Sequence, residues 1–188
     1  FLYDKRNQKY QTTSGFYSNY NINLPVVSDT NTLTNVYNYK VFKELYENNV
    51  STFSFLFKSA SSLTNDDIKL SERLYIPGKK LRGFESGKIG PKDGSDYIGG
   101  NYVSSINATT TIPMILENVQ NVDIVMFADA ANVWGVDYDS SLDKSGIRSS
   151  VGIGIDWLTA VGPLTFSFAQ PITKEPSDIE ENFRFNIG

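Results

Sequence analysis

The chain has 188 residues, with 17 Lys and Arg against 21 Asp and Glu; its formal charge of −4 gives no basic footprint for nucleic acid. It contains no histidine and no cysteine, which removes Ser-His and Cys-His catalysis, thiol chemistry, disulfides and the commonest metal ligands. With 40% hydrophobic residues it is too apolar for disorder, and an aromatic share of 13%, resting on 11 Tyr and 12 Phe rather than 2 Trp, favours strands.

In chain order the candidate strands are a strand end at 1–5, then 15–24, 37–45, 50–58, 100–112, 122–133, 146–157, 163–171 and 182–188, with no convincing helix. The dominant period is two. Ser51, Phe53, Phe55 and Phe57 share one face, opposite Val50, Thr52, Ser54, Leu56 and Lys58. Ile147, Val151, Ile153, Ile155 and Trp157 lie opposite Arg148, Ser150, Gly152, Gly154 and Asp156. Leu164, Phe166 and Phe168 alternate with Thr165, Ser167 and Ala169, and Phe183, Phe185 and Ile187 alternate with Arg184 and Asn186. Turn-rich stretches at 7–14, 25–35, 47–49, 118–121, 136–145 and 173–181 separate the strands, and one helical turn is expected at 71–74.

No segment supplies the roughly 20 apolar residues of a membrane helix, but a strand-built membrane protein has a weaker signal per segment. Connections at 47–49, 118–121 and 159–162 are tight, whereas 25–35, 59–99, 136–145 and 173–181 are longer and more polar. In an up-and-down antiparallel sheet every second connection falls at the same end, so one end is trim and the other elaborate, as in outer-membrane barrels. A soluble sandwich alternates in the same way, with its apolar face inside. Alternation alone leaves both architectures open.

The loop at about 59–99 exceeds the 12–15 residues usual for a structureless connection, and it contains Leu81-Arg82-Gly83-Phe84-Glu85 and Ile89-Gly90-Pro91. Gly99-Gly100-Asn101 follows, then Phe127-Ala128-Asp129-Ala130-Ala131-Asn132-Val133-Trp134, Arg148-Ser149-Ser150-Val151-Gly152-Ile153-Gly154, Trp157, Gly162-Pro163-Leu164, Ala169-Gln170-Pro171 and Phe183-Arg184-Phe185-Asn186-Ile187-Gly188. Each motif alone is weak. In this order they resemble the BamA family of outer-membrane β-barrel assembly factors, with Ala131 where the family has glycine. The resemblance is carried by motifs from about residue 75 onward and is only topological before that.

The resemblance implies an all-β fold, an antiparallel up-and-down transmembrane β-barrel of which residues 1–188 form the C-terminal half, about eight of sixteen strands. The family's periplasmic POTRA domains are absent from this chain, as are the residues that continue the last strand to a terminal aromatic. It further implies that the long loop folds into the lumen and docks through Arg82, Gly83 and Phe84 onto Asp129. The family's second acid on the wall aligns with Thr109, so half of that acidic cage is missing. Strand parity places Asp123, Val125, Phe127, Asp129, Ala131 and Val133 on one face, which brings Phe127 to the docked loop. The last strand, with Phe183, Phe185, Asn186 and Gly188, is implied to form one side of a lateral gate.

By the same resemblance the role is folding and inserting β-barrel proteins into the bacterial outer membrane, without a chemical step or cofactor. The implied partners are unfolded outer-membrane proteins, outer-membrane lipid and, in the full-length protein, accessory assembly lipoproteins. A TamA-like or two-partner-secretion transporter shares this fold. A soluble β-sandwich binding module is the reading from another class.

Other features have plain explanations. Asp137, Asp139 and Asp143 lack the glycine and terminal glutamate of a calcium loop and read as a solvated loop. Lys79-Lys80 reads as a solvated loop tip or a contact for lipid phosphate. Gly152 and Gly154, within a strand, mark a bend or a close approach. Asn49 and Asn107 match glycosylation acceptors but fall at or in strands. Tyr37, Tyr39, Tyr97, Tyr102, Trp134 and Trp157 are candidates for interfacial girdles.

Overall fold

The computed structural model describes residues 1–9, 11–25, 31–47, 49–64, 66–112, 121–143, 146–160 and 162–187. The first four strands are β1 (Leu2–Asp4), β2 (Gly15–Asn23), β3 (Thr32–Tyr46) and β4 (Asn49–Ser62). Short strands β5 (Gly83–Phe84), β6 (Lys92–Asp93) and β7 (Asp96–Tyr97) lie within the long connection. The chain continues with β8 (Tyr102–Thr111), β9 (Val122–Trp134), β10 (Arg148–Thr159), β11 (Gly162–Thr173), β12 (Glu180–Glu181) and β13 (Phe183–Ile187).

One antiparallel nine-stranded sheet runs β1-β2-β3-β4-β8-β9-β10-β11-β13, each strand beside its sequence neighbour once the short loop strands are set aside. The fold is therefore all-β and up-and-down, and the sheet is open at β1 and β13. Strands of 12 to 15 residues, as in β3, β4, β9, β10 and β11, exceed the roughly 9–11 residues that cross a bilayer.

The alternation resolves into two unlike faces. Phe53, Val151, Ile153, Trp157, Phe168, Phe183 and Phe185 are exposed on one. Neighbouring strands pair aromatics there, with the tilted rings of Phe166 and Phe185, and of Phe168 and Phe183, each 4.9 Å apart between centroids. Leu56, Ala60, Val103, Ser105, Asn107, Asp129, Ser150 and Ser167 are buried on the other, beneath the long connection. The core is not between two sheets. Ile76, Leu81, Phe84 and Ile89 of the loop pack against Val103, Ala131 and Val133 of β8 and β9.

Several boundaries differ from the sequence reading. β3 begins at Thr32, inside the expected turn at 25–35, and β4 runs on to Ser62, past the expected loop start at 59. Thr32 pairs with Ser62 and Thr34 with Ala60, so the ladder continues where side chains turn polar and hydrophobic alternation stops marking it. The connection is thus 63–101, and it is not structureless. It contains 3-10 turns at Leu70–Glu72 and Gly78–Lys80, a β6–β7 hairpin and a bridge between Leu74 and Gly100. The observed turn lies one residue before the expected 71–74. Residues 118–120 and Gly188 fall outside the described residues.

The girdle assignment is revised in part. Tyr102 and Trp134 stack across β8 and β9 at 5.6 Å at the elaborate end, and Trp157 is exposed near the opposite end of β10. Tyr37 and Tyr39 lie in mid-strand because β3 starts earlier. Tyr97 belongs to the loop hairpin, where its hydroxyl donates to the Ser177 carbonyl.

Candidate loop-docking site

Asp129 projects from the middle of β9 onto the loop face, its side chain fully inaccessible. Arg82 approaches from the loop. Its Nε donates to Asp129 Oδ2 and its Nη2 to Oδ1, both at 2.7 Å, and its backbone N–H reaches Oδ2 at 3.1 Å. This is the two-pronged geometry that a guanidinium provides and an ammonium does not. The guanidinium carbon also lies 3.4 Å from the centroid of the Phe127 ring, a cation–π stack on the residue that strand parity carries inward with Asp129.

Gly83 makes the approach possible. Its φ of +90° is in the left-handed region, and an added Cβ would stand 3.2 Å from Ala169 Cβ and 3.3 Å from Ser150 Cβ. The turn sends Arg82 toward β9 and buries Phe84, which is 1% exposed, in the apolar cluster. Ser150 Oγ of β10 donates to the Arg82 carbonyl at 2.5 Å. Burying side chains such as Leu81 and Phe84 contributes about 1.5–3 kcal/mol each, whereas doubling a loop's length adds only about 0.6 kcal/mol to its closure cost. Burial and pairing therefore outweigh the extra entropy of a long connection.

The position opposite Asp129 is occupied by Asn107, not Thr109. Cross-strand register pairs Asn107 with Asp129 and Thr109 with Phe127. Asn107 Nδ2 donates to Asp129 Oδ1 at 2.9 Å and to the Lys80 carbonyl at 2.8 Å, while its Oδ1 accepts from Ser54 Oγ at 3.1 Å. Asp129 thus accepts four hydrogen bonds, two at each oxygen, which uses the acceptor capacity of a carboxylate. Among the described residues a single acid meets Arg82, and a neutral amide completes its cage. Strand parity could have found Asn107, since it shares a face with Thr109.

Lys80 joins this network. Its Nζ donates to Ser54 Oγ at 3.1 Å, so this half-buried side chain turns to the wall, while Lys79 is exposed. Burial lowers its amine from the ordinary range, the neighbouring Lys40 charge lowers it further, and Asp129 opposes both. Toward the trim end a cavity of about 740 Å³ is lined by Lys40, Ser54, Lys80, Asn107, Asp123 and Asp156 among others.

Three more arginines that the sequence reading did not single out tie the loops together. Arg73 pairs with Asp137 and lies over the Tyr138 ring, joining the long connection to the segment after β9. Arg148, at the start of β10, donates through Nε and Nη2 to Asp178 at 2.9 and 3.1 Å, both side chains inaccessible. Arg184 of β13 meets Glu181 and the Phe84 carbonyl. The three aspartates read as a solvated loop each have a structural role. Asp137 accepts from the Ile68 N–H at 2.7 Å, Asp139 caps Ser141 at 2.9 Å, and Asp143 accepts from the Gly135 N–H at 3.0 Å. Gly152 marks a close approach, since a Cβ there would lie 2.5 Å from Phe127 Cζ.

Phe183 and Phe185 of the expected gate strand are exposed on the apolar face, and Asn186 lies on the loop face opposite Thr165. They are not part of the Arg82 site. They sit at the sheet edge, because β13 pairs with β11 on one side alone among the described residues.

Comparison with known proteins places these features in a family setting. The model of the Omp85 superfamily domain matches residues 1–188. The chain is 32% identical over 151 residues to outer membrane protein assembly factor BamA of Neisseria meningitidis, covering 65% of this chain and 19% of that protein. It is 26% identical over 173 residues to BamA of Nitratidesulfovibrio vulgaris, covering 87% of this chain and 21% of that protein. A SAM50-like protein of Schizosaccharomyces pombe is 28% identical over 137 residues, 68% of this chain and 28% of that protein. The chain thus spans between 19% and 28% of these relatives' length. The crystal structure of BamA from Haemophilus ducreyi lacking POTRA domains 1–3 superposes with a TM-score of 0.87 at 27% identity, over 98% of this chain and 40% of that one.

Proposed function

This chain belongs to the Omp85 superfamily, and from that premise we propose that it is the C-terminal half of a transmembrane β-barrel that folds and inserts other β-barrel proteins into a bacterial outer membrane. The observation that carries this reading is the docked loop: Arg82 grips Asp129 on one face of a sheet whose opposite face is apolar. A soluble sandwich buries its apolar face and exposes its polar one; here the polar face is covered and the apolar face is open. A bilayer supplies the missing cover, and strands closed into a barrel are one of two structures able to satisfy their backbone there.

The work requires no reacting group and no cofactor. Its elements are a rigid wall, a plug-like loop and an edge strand, β13, whose outer edge, unpaired among the described residues, accepts an incoming strand by β-augmentation. The partners are unfolded outer-membrane proteins, outer-membrane lipid and, in the full-length protein, accessory assembly lipoproteins. The docked loop keeps the barrel shaped around its lumen while the seam beside β13 opens.

The test is reconstitution of the full-length protein in liposomes, followed by dilution of a urea-unfolded outer-membrane barrel into them. Faster appearance of the folded, heat-modifiable client band than with empty liposomes is expected. An unchanged folding rate would contradict the proposal.

A further inference from the structure

Arg184 projects from β13 onto the loop face, opposite Ser167 of β11, and is 8% exposed. Its Nη2 donates to the Phe84 carbonyl at 2.5 Å and its Nε to Glu181 Oε2 at 3.0 Å. Its Nη1 lies against Gly78, so close that a Cβ on that glycine would overlap it. One guanidinium on the last strand is therefore seated on the backbone of the long connection at two places.

The chain leading into β13 is joined to the same loop tip. β12 pairs antiparallel with β5, Glu180 opposite Phe84 and Glu181 opposite Gly83. The Glu85 N–H donates to the Ile179 carbonyl at 2.9 Å, and the Ile179 N–H to the Lys88 carbonyl at 3.1 Å. Arg148 fixes the segment through Asp178. In contrast, β13 itself has five residues in register with β11.

We propose that Arg184 is a latch coupling the docked loop to the position of the edge strand. This rests on the reading of β13 as one side of the seam and adds the means by which that seam is held. The Phe84 carbonyl stands where Arg184 needs it because Arg82, two residues earlier, is fixed on Asp129. A β13 strand that moves outward carries Arg184 off both Phe84 and Glu181. A loop that undocks withdraws the same acceptor from the other side. Linkage makes the coupling reciprocal: whatever frees the loop favours release of the strand by the same factor.

The experiment is hydrogen exchange on the full-length protein in lipid nanodiscs, following amides of 183–187 and of Glu85. Arg184→Gln removes the latch from the strand. Gly78→Ala attacks it from the loop, placing a methyl where the guanidinium lies while leaving β13 unaltered. Each is expected to raise exchange at 183–187 at least fivefold, with a parallel rise at Glu85. Arg184→Lys, which keeps charge and one donor, is expected to recover part of the protection. The double variant is expected to exchange no faster than Arg184→Gln alone, because both changes remove one contact. Unchanged exchange at 183–187 in Gly78→Ala, in protein that keeps its heat-modifiable band, would overturn the proposal. So would effects of the two single changes that multiply in full. No client protein is involved, so a failure of assembly activity and a failure of the latch are read separately.

Discussion

Asn107 and Asp129 face each other across β8 and β9, and the amide of the first donates at 2.9 Å to the carboxylate of the second. That pairing sets the electrostatics of the docking site. One negative charge receives one guanidinium, and the fourth acceptor position is filled by a neutral donor. The same amide holds the Lys80 carbonyl at 2.8 Å, so Asn107 bonds the wall's acid and the loop's backbone at once.

Replacing Asn107 by Leu removes three hydrogen bonds from a buried site and leaves the Lys80 carbonyl without this donor. An unsatisfied buried polar group costs about 1–3 kcal/mol, so a loss of that size is expected. Urea titration of the heat-modifiable band of full-length protein in lipid measures it.

Arg82→Lys keeps the charge but gives up the two parallel bonds and the planar stack on Phe127. Loss of docking precision without loss of the barrel is expected. Limited proteolysis measures this as faster cleavage within 63–101 at an unchanged unfolding midpoint of the remainder.

Gly152 lies close against both the Phe127 ring and the β11 backbone. Gly152→Ala puts a methyl against both, and because the Phe168 carbonyl belongs to the ladder the sheet itself has to shift. Overpacking costs about 1–3 kcal/mol. The expected signature is a lowered unfolding midpoint together with faster cleavage within 63–101, as Phe127 is pushed from beneath Arg82.

Acid acts on the Arg73–Asp137 tie between loops. Burial works to raise the Asp137 carboxyl, but the Ile68 N–H, the Asn101 side chain and the Arg73 charge together leave it below its ordinary value of 3.8. A depressed carboxylate contributes stability above its unfolded pKa and loses it as pH falls through the folded value. Protection of 66–74 from an acid-active protease is therefore expected to persist to pH 3.8 and to fail below it. Asp137→Asn is expected to remove that acid limb.

The central strands and the orientation of Asp129 were legible because alternation over 50–58, 122–133 and 146–157 states which face each side chain takes. The same parity carried Phe127 to the loop. Strand ends were illegible where Thr32, Thr34, Ser59 and Ser62 extend the ladder with polar side chains, since pairing there no longer depends on an apolar face. Asn107 was hidden because it matches a glycosylation acceptor and because the family's acid aligns with Thr109, two residues away on the same face. The ties Arg73–Asp137 and Arg148–Asp178 and the β5–β12 pair join loops far apart in sequence. Such contacts have no period, and nothing local distinguishes their residues from solvated charges.

The docked loop is tested most directly by a double-mutant cycle of Arg82→Ala and Asp129→Ala in the full-length protein, read as stability against urea in lipid. Asp129 is inaccessible and Arg82 nearly so, so each single change is expected to cost about 3–5 kcal/mol by stranding a buried partner. The double variant is expected to cost little more than either, a coupling of about 2 kcal/mol or more. Single effects that add to within about 0.3 kcal/mol would show that the two residues do not hold each other and would contradict the docked loop.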